Sequence, residues 1–354
     1  MHNRNCWYVI AWDQEVGADT LFTRTVLGEP ILLYRTAAGA VVALQDRCCH
    51  RAAPLSRGRK EGDCVRCGYH GLKFDASGAC VEVPGMDGVP PKARVKTYPC
   101  VVHRRWIFVW MGEPALADLA LLPDNFSNEH AHWHYRPGYL HYDTPQALIC
   151  DNLLDFSHLS YVHEKTLGGS TAIAQARPLI EAVPRGIKVS RHVHNVPPPA
   201  YYLRMDPRMK NVGVKLDRWF IYDFLLPGTL LMQSGGRPAG AAADDMSQAV
   251  RLHSCQTVTP ETATSTHYFF QQSHFGEEPN ADVVAIIYEA LVAAFEEDRA
   301  MITAQARALA LAPDEPLMPL HFDAALTRFR SLVQAMAAAE AEAEGHHKAN
   351  TRSL

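Results

Sequence analysis

The chain has 354 residues, of which 47% are hydrophobic and 20% are charged. This is the composition of an ordinary globular protein of about two domains, and it excludes a disordered, collagen-like or coiled-coil chain. With 34 Lys and Arg against 38 Asp and Glu, the net charge of −4 does not favour nucleic acid or an anionic membrane as a partner. Because we find no secretory signal and no apolar run of the ~20 residues that span a bilayer, we expect a cytoplasmic protein without membrane segments.

The first third of the chain is predicted to consist of short strands separated by turns. The strand signals are hydrophobic runs bounded by pairs such as Ala38-Gly39 and Ser77-Gly78. We expect strands over 7–12, 31–34, 41–44 and 106–111. A connector follows, and the predicted boundary between two domains lies between residues 118 and 119.

The cysteines of this first region indicate metal rather than disulfides. The chain has nine cysteines, an odd number for a disulfide framework, and four of them fall between Cys48 and Cys67. Cys48 and His50 form a Cys-x-His box, and after sixteen residues Cys67 and His70 form a Cys-x-x-His box. Two thiolates and two imidazoles suit a single tetrahedral zinc, or a [2Fe–2S] cluster with cysteines on one iron and histidines on the other.

The context of the two boxes resembles one iron–sulfur family. The boxes continue as Cys-Cys-His-Arg-Ala-Ala-Pro-Leu from Cys48 and as Cys-Gly-Tyr-His-Gly-Leu-Lys-Phe from Cys67. This is similar to the cluster-binding motif of Rieske non-haem iron oxygenases. The resemblance implies that Cys48 and Cys67 bind one iron of a [2Fe–2S] cluster and that His50 and His70 bind the other. Tyr69 stands where a high-potential Rieske protein has an additional cysteine, which favours the lower-potential oxygenase type.

The second region begins near residue 133 and mixes helices with strands. We expect a helix over 144–166 that ends at Gly168-Gly169, and strands over 187–194, 219–226, 256–258 and 264–271. A long amphipathic helix is predicted over 281–311, a last helix over 329–344, and a disordered tail over 346–354.

The helix predicted over 144–166 carries candidate ligands for a second metal. Asp155 and His158 are three residues apart and share a helix face, whereas His158 and His163 are about 140° apart on a regular helix. Both histidines reach one ion only if the helix ends or bulges between them. Two histidines and one carboxylate form the facial triad of non-haem Fe(II) sites, which leaves positions open for O₂ and substrate. The segment resembles the Asn-x-x-Asp-x-x-His-x-x-x-x-His motif of Rieske oxygenases at Asn152, Asp155, His158 and His163.

The third iron ligand is expected from the long helix. Asp298 lies on the apolar stripe of that helix, whereas Glu296 and Glu297 lie on other faces and are expected in solvent. A buried carboxylate needs a partner, which is iron or, alternatively, an arginine. The resemblance favours Asp298 as the ligand, because the family takes its third ligand from an acidic stretch of a late helix.

The resemblance also implies fold, partners and electron path. It implies an α+β protein with an all-β Rieske domain over 1–118 and an α+β catalytic domain over 119–345, whose curved antiparallel sheet is covered by helices. Asp155 is then the bridge that carries electrons from His70 of one subunit to His158 of the next, in a head-to-tail homotrimer. The electrons come from NADH through a separate flavin and iron–sulfur reductase or a ferredoxin.

The activity implied is that of a terminal oxygenase, closest to the toluenesulfonate methyl-monooxygenase, vanillate O-demethylase and dicamba O-demethylase type. It hydroxylates or removes a methyl group, or hydroxylates another C–H bond, on an aromatic acid or similar small molecule. Alternatives are a hydroxylase of a non-aromatic or heterocyclic substrate, a non-catalytic electron carrier and a zinc-binding protein. The candidate substrate anchors, all in or beside predicted strands, are His253, His267, Gln256, Arg218 and Arg204.

Overall fold

The computed structural model describes residues 2–168, 170–211 and 213–351, with side chains as far as Ala343. The chain divides into two compact units. The first is Met1–Leu122 with Thr259–Ala263, and the second is Pro123–Val258 with Thr264–Leu354. The division therefore falls after Leu122 rather than after residue 118, and a short segment from late in the chain groups with the first unit.

The first unit is built from small antiparallel sheets. Their strand orders are β1-β11-β10, β2-β3-β4-β9 and β5-β6-β7-β8. The strands are β1 (Trp7–Trp12), β2 (Phe22–Val26), β3 (Glu29–Arg35), β4 (Val41–Gln45), β5 (Arg59–Glu61), β6 (Cys64–Arg66), β7 (Lys73–Phe74), β8 (Cys80–Glu82), β9 (Thr97–Tyr98), β10 (Cys100–His103) and β11 (Trp106–Trp110). Short 3₁₀ helices lie at Asp13–Glu15, Leu55–Arg57, Pro114–Leu116 and Leu119–Leu121.

Aromatic pairing between β1 and β11 forms part of the core of this unit. Both strands are buried along their whole length. Trp7 pairs with Trp110 and Trp12 with Trp106 in the antiparallel register, and the ring centroids are 5.4 and 5.7 Å apart. Directly opposite aromatic pairs stabilise such a ladder beyond their area of burial.

The segment Thr259–Ala263 is hydrogen-bonded into the same unit. The Thr259 hydroxyl donates to the carbonyl of Val9 at 2.7 Å. The amides of Leu27 and Gly28 donate to the carbonyls of Pro260 and Glu261 at 2.9 and 2.7 Å. Residues distant in sequence thus complete the turn between β2 and β3.

The second unit has one large antiparallel sheet with helices. The sheet order is β12-β19-β18-β17-β16-β15-β14, and β13 pairs with β19. The strands are β12 (Trp133–His134), β13 (Gly138–Tyr142), β14 (Leu179–Val183), β15 (Gly186–Val196), β16 (Leu216–Leu225), β17 (Thr229–Pro238), β18 (Val250–Pro260) and β19 (Thr266–Phe275). The α-helices are α1 (Gln146–Leu154), α2 (Ala172–Gln175), α3 (Ala200–Met205), α4 (Ala281–Leu311) and α5 (Ala324–Thr351), with 3₁₀ helices at Phe126–Asn128, Phe156–Ser160, Pro207–Lys210 and His321–Asp323.

Helix α4 covers the sheet with its apolar stripe. Ile287, Leu291, Phe295 and Ile302 are buried along that stripe, and Asp298 is buried among them. The Phe295 ring lies 5.0 Å from the ring of Tyr268 on β19. Together with the first unit, this arrangement confirms the predicted α+β fold with an all-β first domain and an antiparallel sheet carrying helices in the second. Within the described part of the chain, we find no helix that is long and apolar enough to cross a membrane.

The helix predicted over 144–166 is wrong in its length. Helix α1 ends at Leu154, and Asp155 has extended backbone angles (φ −124°, ψ 95°) before the 3₁₀ helix Phe156–Ser160. The physical reason is the Asp155 carboxylate, which accepts hydrogen bonds from the Ser157 amide and hydroxyl at 2.9 and 2.6 Å. An Asp that bonds its local backbone in this way competes with helix formation. The predicted stop includes Gly169, which lies outside the described residues.

Of the two predicted late helices, only the first has the predicted bounds. Helix α4 has the predicted bounds, whereas α5 begins at Ala324, five residues before the predicted start at residue 329. The helical backbone is described as far as Thr351, and 352–354 lie outside the described residues. The disordered tail over 346–354 stays a prediction.

Candidate metal centres

The first candidate centre lies at the tips of two loops with the same closure. The Cys48 amide donates to the Ala53 carbonyl at 2.8 Å, and the Cys67 amide donates to the Leu72 carbonyl at the same distance. In each loop a residue four positions after the cysteine, Ala52 or Gly71, has a positive φ, of 58° and 74°. Two loops of one geometry therefore present Cys-x-His and Cys-x-x-His side by side.

Neighbouring residues hold these loops in place. Asp46 accepts hydrogen bonds from the amide and hydroxyl of Ser56 at 2.7 and 2.6 Å. Arg66 donates to the Gly71 carbonyl at 2.7 Å and forms two bonds of 2.9 Å with the Glu82 carboxylate. A Cβ at Gly68 would lie 2.6 Å from the Arg57 carbonyl oxygen, so the close approach of the two loops requires glycine there.

The four candidate ligands separate into a buried pair and an exposed pair. Cys48 and Cys67 are 3% and 2% exposed, are not in disulfides, and their thiols are within hydrogen-bonding range of each other. His50 and His70 are exposed, with ring centroids 4.6 Å apart. Buried thiols beside exposed imidazoles suit a [2Fe–2S] cluster whose cysteine-bound iron is inner and whose histidine-bound iron is outer.

The second candidate centre brings together His158, His163 and Asp298. One ligand atom from each of them lies within 4.8 Å of the others. The Asp298 Oδ1 atom is 3.6 Å from His158 Nε2 and 3.2 Å from His163 Nε2. The end of α1 explains how residues five apart converge, because the chain turns through a 3₁₀ helix between them.

Each of these three candidate ligands also forms a hydrogen bond with another residue, which fixes its orientation. His158 Nδ1 bonds the main-chain carbonyl of Asp155, and His163 Nδ1 bonds Glu297 Oε2 at 2.8 Å. Asn152 on α1 donates to Asp298 Oδ1 at 3.0 Å. With both Nδ1 atoms bonded in this way, both Nε2 atoms point toward Asp298 Oδ1, as is typical of histidines that share a metal with a carboxylate. These donors fit a mononuclear Fe(II) with open positions.

The electrostatics of this centre favour a cation. Burial lowers the pKa of His158, which favours the neutral imidazole that a metal ligand requires. At His163, burial acts in the same direction, but Asp298 and Glu297 outweigh it and raise the pKa. A proton is stabilised beside two carboxylates, and a divalent cation is stabilised in the same field.

Glu297 was expected in solvent, and 36% of its side chain is exposed, but the carboxylate also contacts a candidate ligand. Its carboxylate accepts hydrogen bonds from both His163 and Thr166, the latter at 2.8 Å. Helical periodicity placed Glu297 off the apolar stripe, and its flexible side chain reaches His163 from that position. No sequence pattern indicated this contact.

Removing Glu297 tests this contact. We expect Glu297→Ala to weaken iron binding by about 10- to 100-fold, because the histidine loses the group that fixes its orientation. Iron retained after dialysis against a chelator series measures the change. Glu296→Ala is the matched control, since Glu296 is exposed on the same helix and pairs with Arg299. Equal iron retention in the two variants would show that the Glu297 bond is dispensable.

Asp155, the predicted electron bridge, lies beside the second centre. Its carboxylate bonds Ser157, and its Oδ1 atom is 3.7 Å from Nη2 of Arg191, a buried arginine that the sequence did not single out. Arg191 also donates to the carbonyl of Ile173. Asp155 thus forms an ion pair with a buried arginine next to the second candidate centre.

A cavity adjoins the three candidate iron ligands, and it separates the predicted substrate anchors into two groups. Gln256 and Arg218 line this cavity together with His158, His163 and Asp298. His253 and His267 do not line it. Much of the wall is apolar, with Leu153, Phe156, Leu159, Leu167, Phe220, Met232, Leu291 and Phe295.

The two other predicted histidine anchors have different partners. His253 bonds the Ser127 hydroxyl at 2.8 Å and packs against Phe126, with burial lowering its pKa to about 4. The Tyr139 hydroxyl bonds His267 Nδ1 at 2.9 Å. Arg204 forms an exposed ion pair with Glu289. These contacts place all three candidates outside the cavity.

Comparisons with known proteins agree with this arrangement. Residues 6–99 match the Rieske [2Fe–2S] domain family, and residues 142–339 match the vanillate O-demethylase oxygenase C-terminal domain family. The chain is 44% identical over 351 residues to the toluene-4-sulfonate monooxygenase system iron-sulfur subunit TsaM1 of Comamonas testosteroni, covering 96% of this chain and 98% of that protein.

More distant relatives and a solved structure agree as well. A vanillate O-demethylase oxygenase subunit of a Pseudomonas species is 32% identical over 354 residues, covering 97% of each chain. The crystal structure of dicamba monooxygenase bound to dicamba superposes with a TM-score of 0.84 at 30% identity, covering 96% of this chain and 98% of that one. The chain therefore belongs to the Rieske non-haem iron oxygenases, as a terminal oxygenase component that carries a [2Fe–2S] cluster and a mononuclear iron.

Proposed function

We propose that this protein is a monooxygenase that inserts one oxygen atom of O₂ into a methyl or other C–H group of an aromatic acid or similar small molecule. The observation that carries the proposal is the convergence of His158, His163 and Asp298 on the wall of an apolar cavity. A cavity of this composition suits an aromatic ring. Relatives named for toluene-4-sulfonate, vanillate and dicamba support an aromatic substrate.

Within this proposal, each site residue has one task. Cys48, Cys67, His50 and His70 hold the cluster, and His158, His163 and Asp298 hold the iron. Bound iron supplies O₂ activation, with electrons from NADH delivered by a separate reductase or ferredoxin. Asn152 holds the Asp298 carboxylate through its bond to Oδ1. The apolar wall excludes water and presents the substrate carbon to the metal side of the cavity.

The proposed assembly is a head-to-tail homotrimer in which Asp155 connects the cluster of one subunit to the iron of the next. A carboxylate accepts hydrogen bonds from two imidazoles, so it couples their orientation and charge. Cyclic packing of one chain produces such a ring. The cytoplasmic location is proposed on the reducing environment that the cluster cysteines need.

Turnover with labelled oxygen tests the function. The protein is purified anaerobically, supplied with NADH and a flavin iron–sulfur reductase, and offered 4-methylbenzenesulfonate, 4-methylbenzoate and 4-methoxybenzoate under ¹⁸O₂. We expect equal consumption of NADH and O₂ and one labelled oxygen in the alcohol, or formaldehyde from the methoxy compound. An unlabelled alcohol from either methyl compound would exclude a monooxygenase, and oxidation of heterocyclic compounds alone would move the substrate class. Zinc without acid-labile sulfide would instead leave the zinc-binding alternative.

A further inference from the structure

Arg218 is a buried cation that forms no ion pair with a carboxylate among the described residues. It is 2% exposed on β16, and its terminal nitrogens donate to the carbonyls of Gly168 and Leu167 at 3.1 and 3.4 Å. Its guanidinium carbon lies 5.0 Å from the ring centre of Phe220. The carbonyl oxygens accept hydrogen bonds from the guanidinium, and the ring face stabilises part of its positive charge. Neither group is an anion.

One donor of this guanidinium remains without a partner. The Nε atom of Arg218 is buried and makes no hydrogen bond in the described chain. Arginine has five donors in a planar fork that matches a carboxylate or a sulfonate. An unsatisfied buried donor on a charged group is costly, and an anion supplied to the cavity would remove that cost.

Polar groups extend from Arg218 along the cavity wall. Tyr201, Gln272 and Ser234 line the same cavity. Burial raises the pKa of Tyr201, although Arg218 and Gln272 partly oppose the effect. The hydroxyl is therefore protonated at neutral pH and can donate a hydrogen bond to an anion.

The charges of the lining also favour an anion. Asp298 is the carboxylate among the lining residues, and in the proposed function it is an iron ligand. Bound Fe(II) brings two positive charges against this one negative charge, and Arg218 adds a third positive charge. A net positive, mostly apolar cavity attracts an aromatic anion and rejects an aromatic cation.

From these observations we propose that Arg218 is the substrate anchor, binding an anionic oxygen group, a carboxylate or sulfonate, on the aromatic ring. This inference rests on the proposed function, since it names the group by which that substrate is held. Tyr201 and Gln272 add neutral hydrogen bonds to the same group. Selection then depends on the negative charge of the substrate.

Binding measurements without turnover test the anchor. Isothermal titration of the metal-loaded protein, with no reductase, compares 4-methylbenzenesulfonate and 4-methylbenzoate with their neutral amides. We expect the anions to bind about 10- to 100-fold more tightly than the amides. Arg218→Met should reduce that preference to within about twofold and leave amide binding in place. If only one of the two anions binds more tightly than its amide, the anionic group of that compound, carboxylate or sulfonate, is the one that Arg218 binds.

Arg237→Met is the matched control. Arg237 follows Gly236, which pairs with Arg218 across β16 and β17, and its guanidinium lies over the ring of Trp219 outside the cavity lining. Removing this charge should leave the preference for anions unchanged. If both variants lost the preference for anions equally, the preference would depend on the overall charge of the protein and not on Arg218. That result would overturn the anchor.

Arg218→Lys keeps the test decisive if the methionine variant loses its fold, as judged by loss of the mononuclear iron and by thermal unfolding. Lysine retains the charge without the fork, so anions should bind about tenfold more weakly and amides as before. Equal affinity of wild type for anions and amides, or no measurable binding of either anion, would overturn the anchor. In that case, labelled product from a neutral aromatic compound would leave the oxygenase function intact. Conversely, preferential anion binding with no product from any aromatic compound would support the anchor and contradict the proposed oxygenase function.

Discussion

Replacing Asp298 by alanine is expected to remove the mononuclear iron and to leave the cluster in place. Asp298 is 4% exposed, and its Oδ1 atom faces the Nε2 atoms of both His158 and His163. Without this carboxylate, two neutral imidazoles remain, which are too few donors to hold Fe(II) against water. Turnover should fall by about 10³-fold, since the metal contributes several kcal/mol to the reaction.

Metal and sulfide analysis measures this result. Wild type should contain about three iron and two acid-labile sulfide per chain, and the variant about two of each. Glu296→Ala again serves as the control, because it removes an exposed carboxylate from the same helix. Retention of all three iron atoms by Asp298→Ala would move the third ligand to another residue. Loss of sulfide would instead show that the change disturbs more than the iron site.

Replacing Asp155 by asparagine is expected to keep both metals and to lower turnover by about 100-fold. The side chain keeps its shape, and its carbonyl oxygen can still accept the Ser157 amide that now bonds Oδ1 at 2.9 Å. The amide carries no charge and cannot accept hydrogen bonds from imidazole groups at both oxygen positions. Transfer between the two centres should therefore fail while each centre persists.

A single-turnover experiment distinguishes this failure from a loss of either metal. The cluster is reduced, substrate and O₂ are added, and the visible spectrum follows cluster reoxidation. Wild type should reoxidise and form product, whereas Asp155→Asn should keep its cluster reduced over that time. Asp143→Asn is the control, because Asp143 has 91% of its side chain exposed. Normal turnover by Asp155→Asn would rule out the bridging role.

Most of the candidate ligands could be predicted from the sequence. The two Cys-His boxes are local, so their spacing and glycines already indicate paired loops. Asp298 is a candidate ligand in the sequence because a carboxylate on the apolar stripe of a long helix needs a partner, either a metal or an arginine. The family matches and the dicamba monooxygenase superposition confirm the family, the fold class and the cofactors.

Other features of the site depend on tertiary contacts that no local pattern reveals. Helix α1 ends at Leu154 because the Asp155 carboxylate bonds Ser157, and hydrophobic periodicity does not detect that bond. Glu297 contacts a residue 134 positions away. Arg191 pairs with Asp155 across the fold in the same way.

For the candidate substrate anchors, the sequence does not show which face of a strand lines the cavity. His253 and Gln256 are both buried on β18, but they are three residues apart, so the alternation of a strand places them on opposite faces. Only one of them could line the cavity, and the sequence alone could not say which face that was. The structure places Gln256 on the cavity and His253 against Ser127 and Phe126.

The composition of the first unit from two separate stretches of chain limits how this enzyme can be recombined. A gene fragment that encodes only 1–122 lacks Thr259, Pro260 and Glu261, whose groups bond Val9, Leu27 and Gly28. An exchange of iron–sulfur modules between relatives therefore needs both stretches from one parent. A single crossover at residue 122 does not transfer the whole iron–sulfur module. Recombination at that point alone is therefore a poor way to change the electron donor.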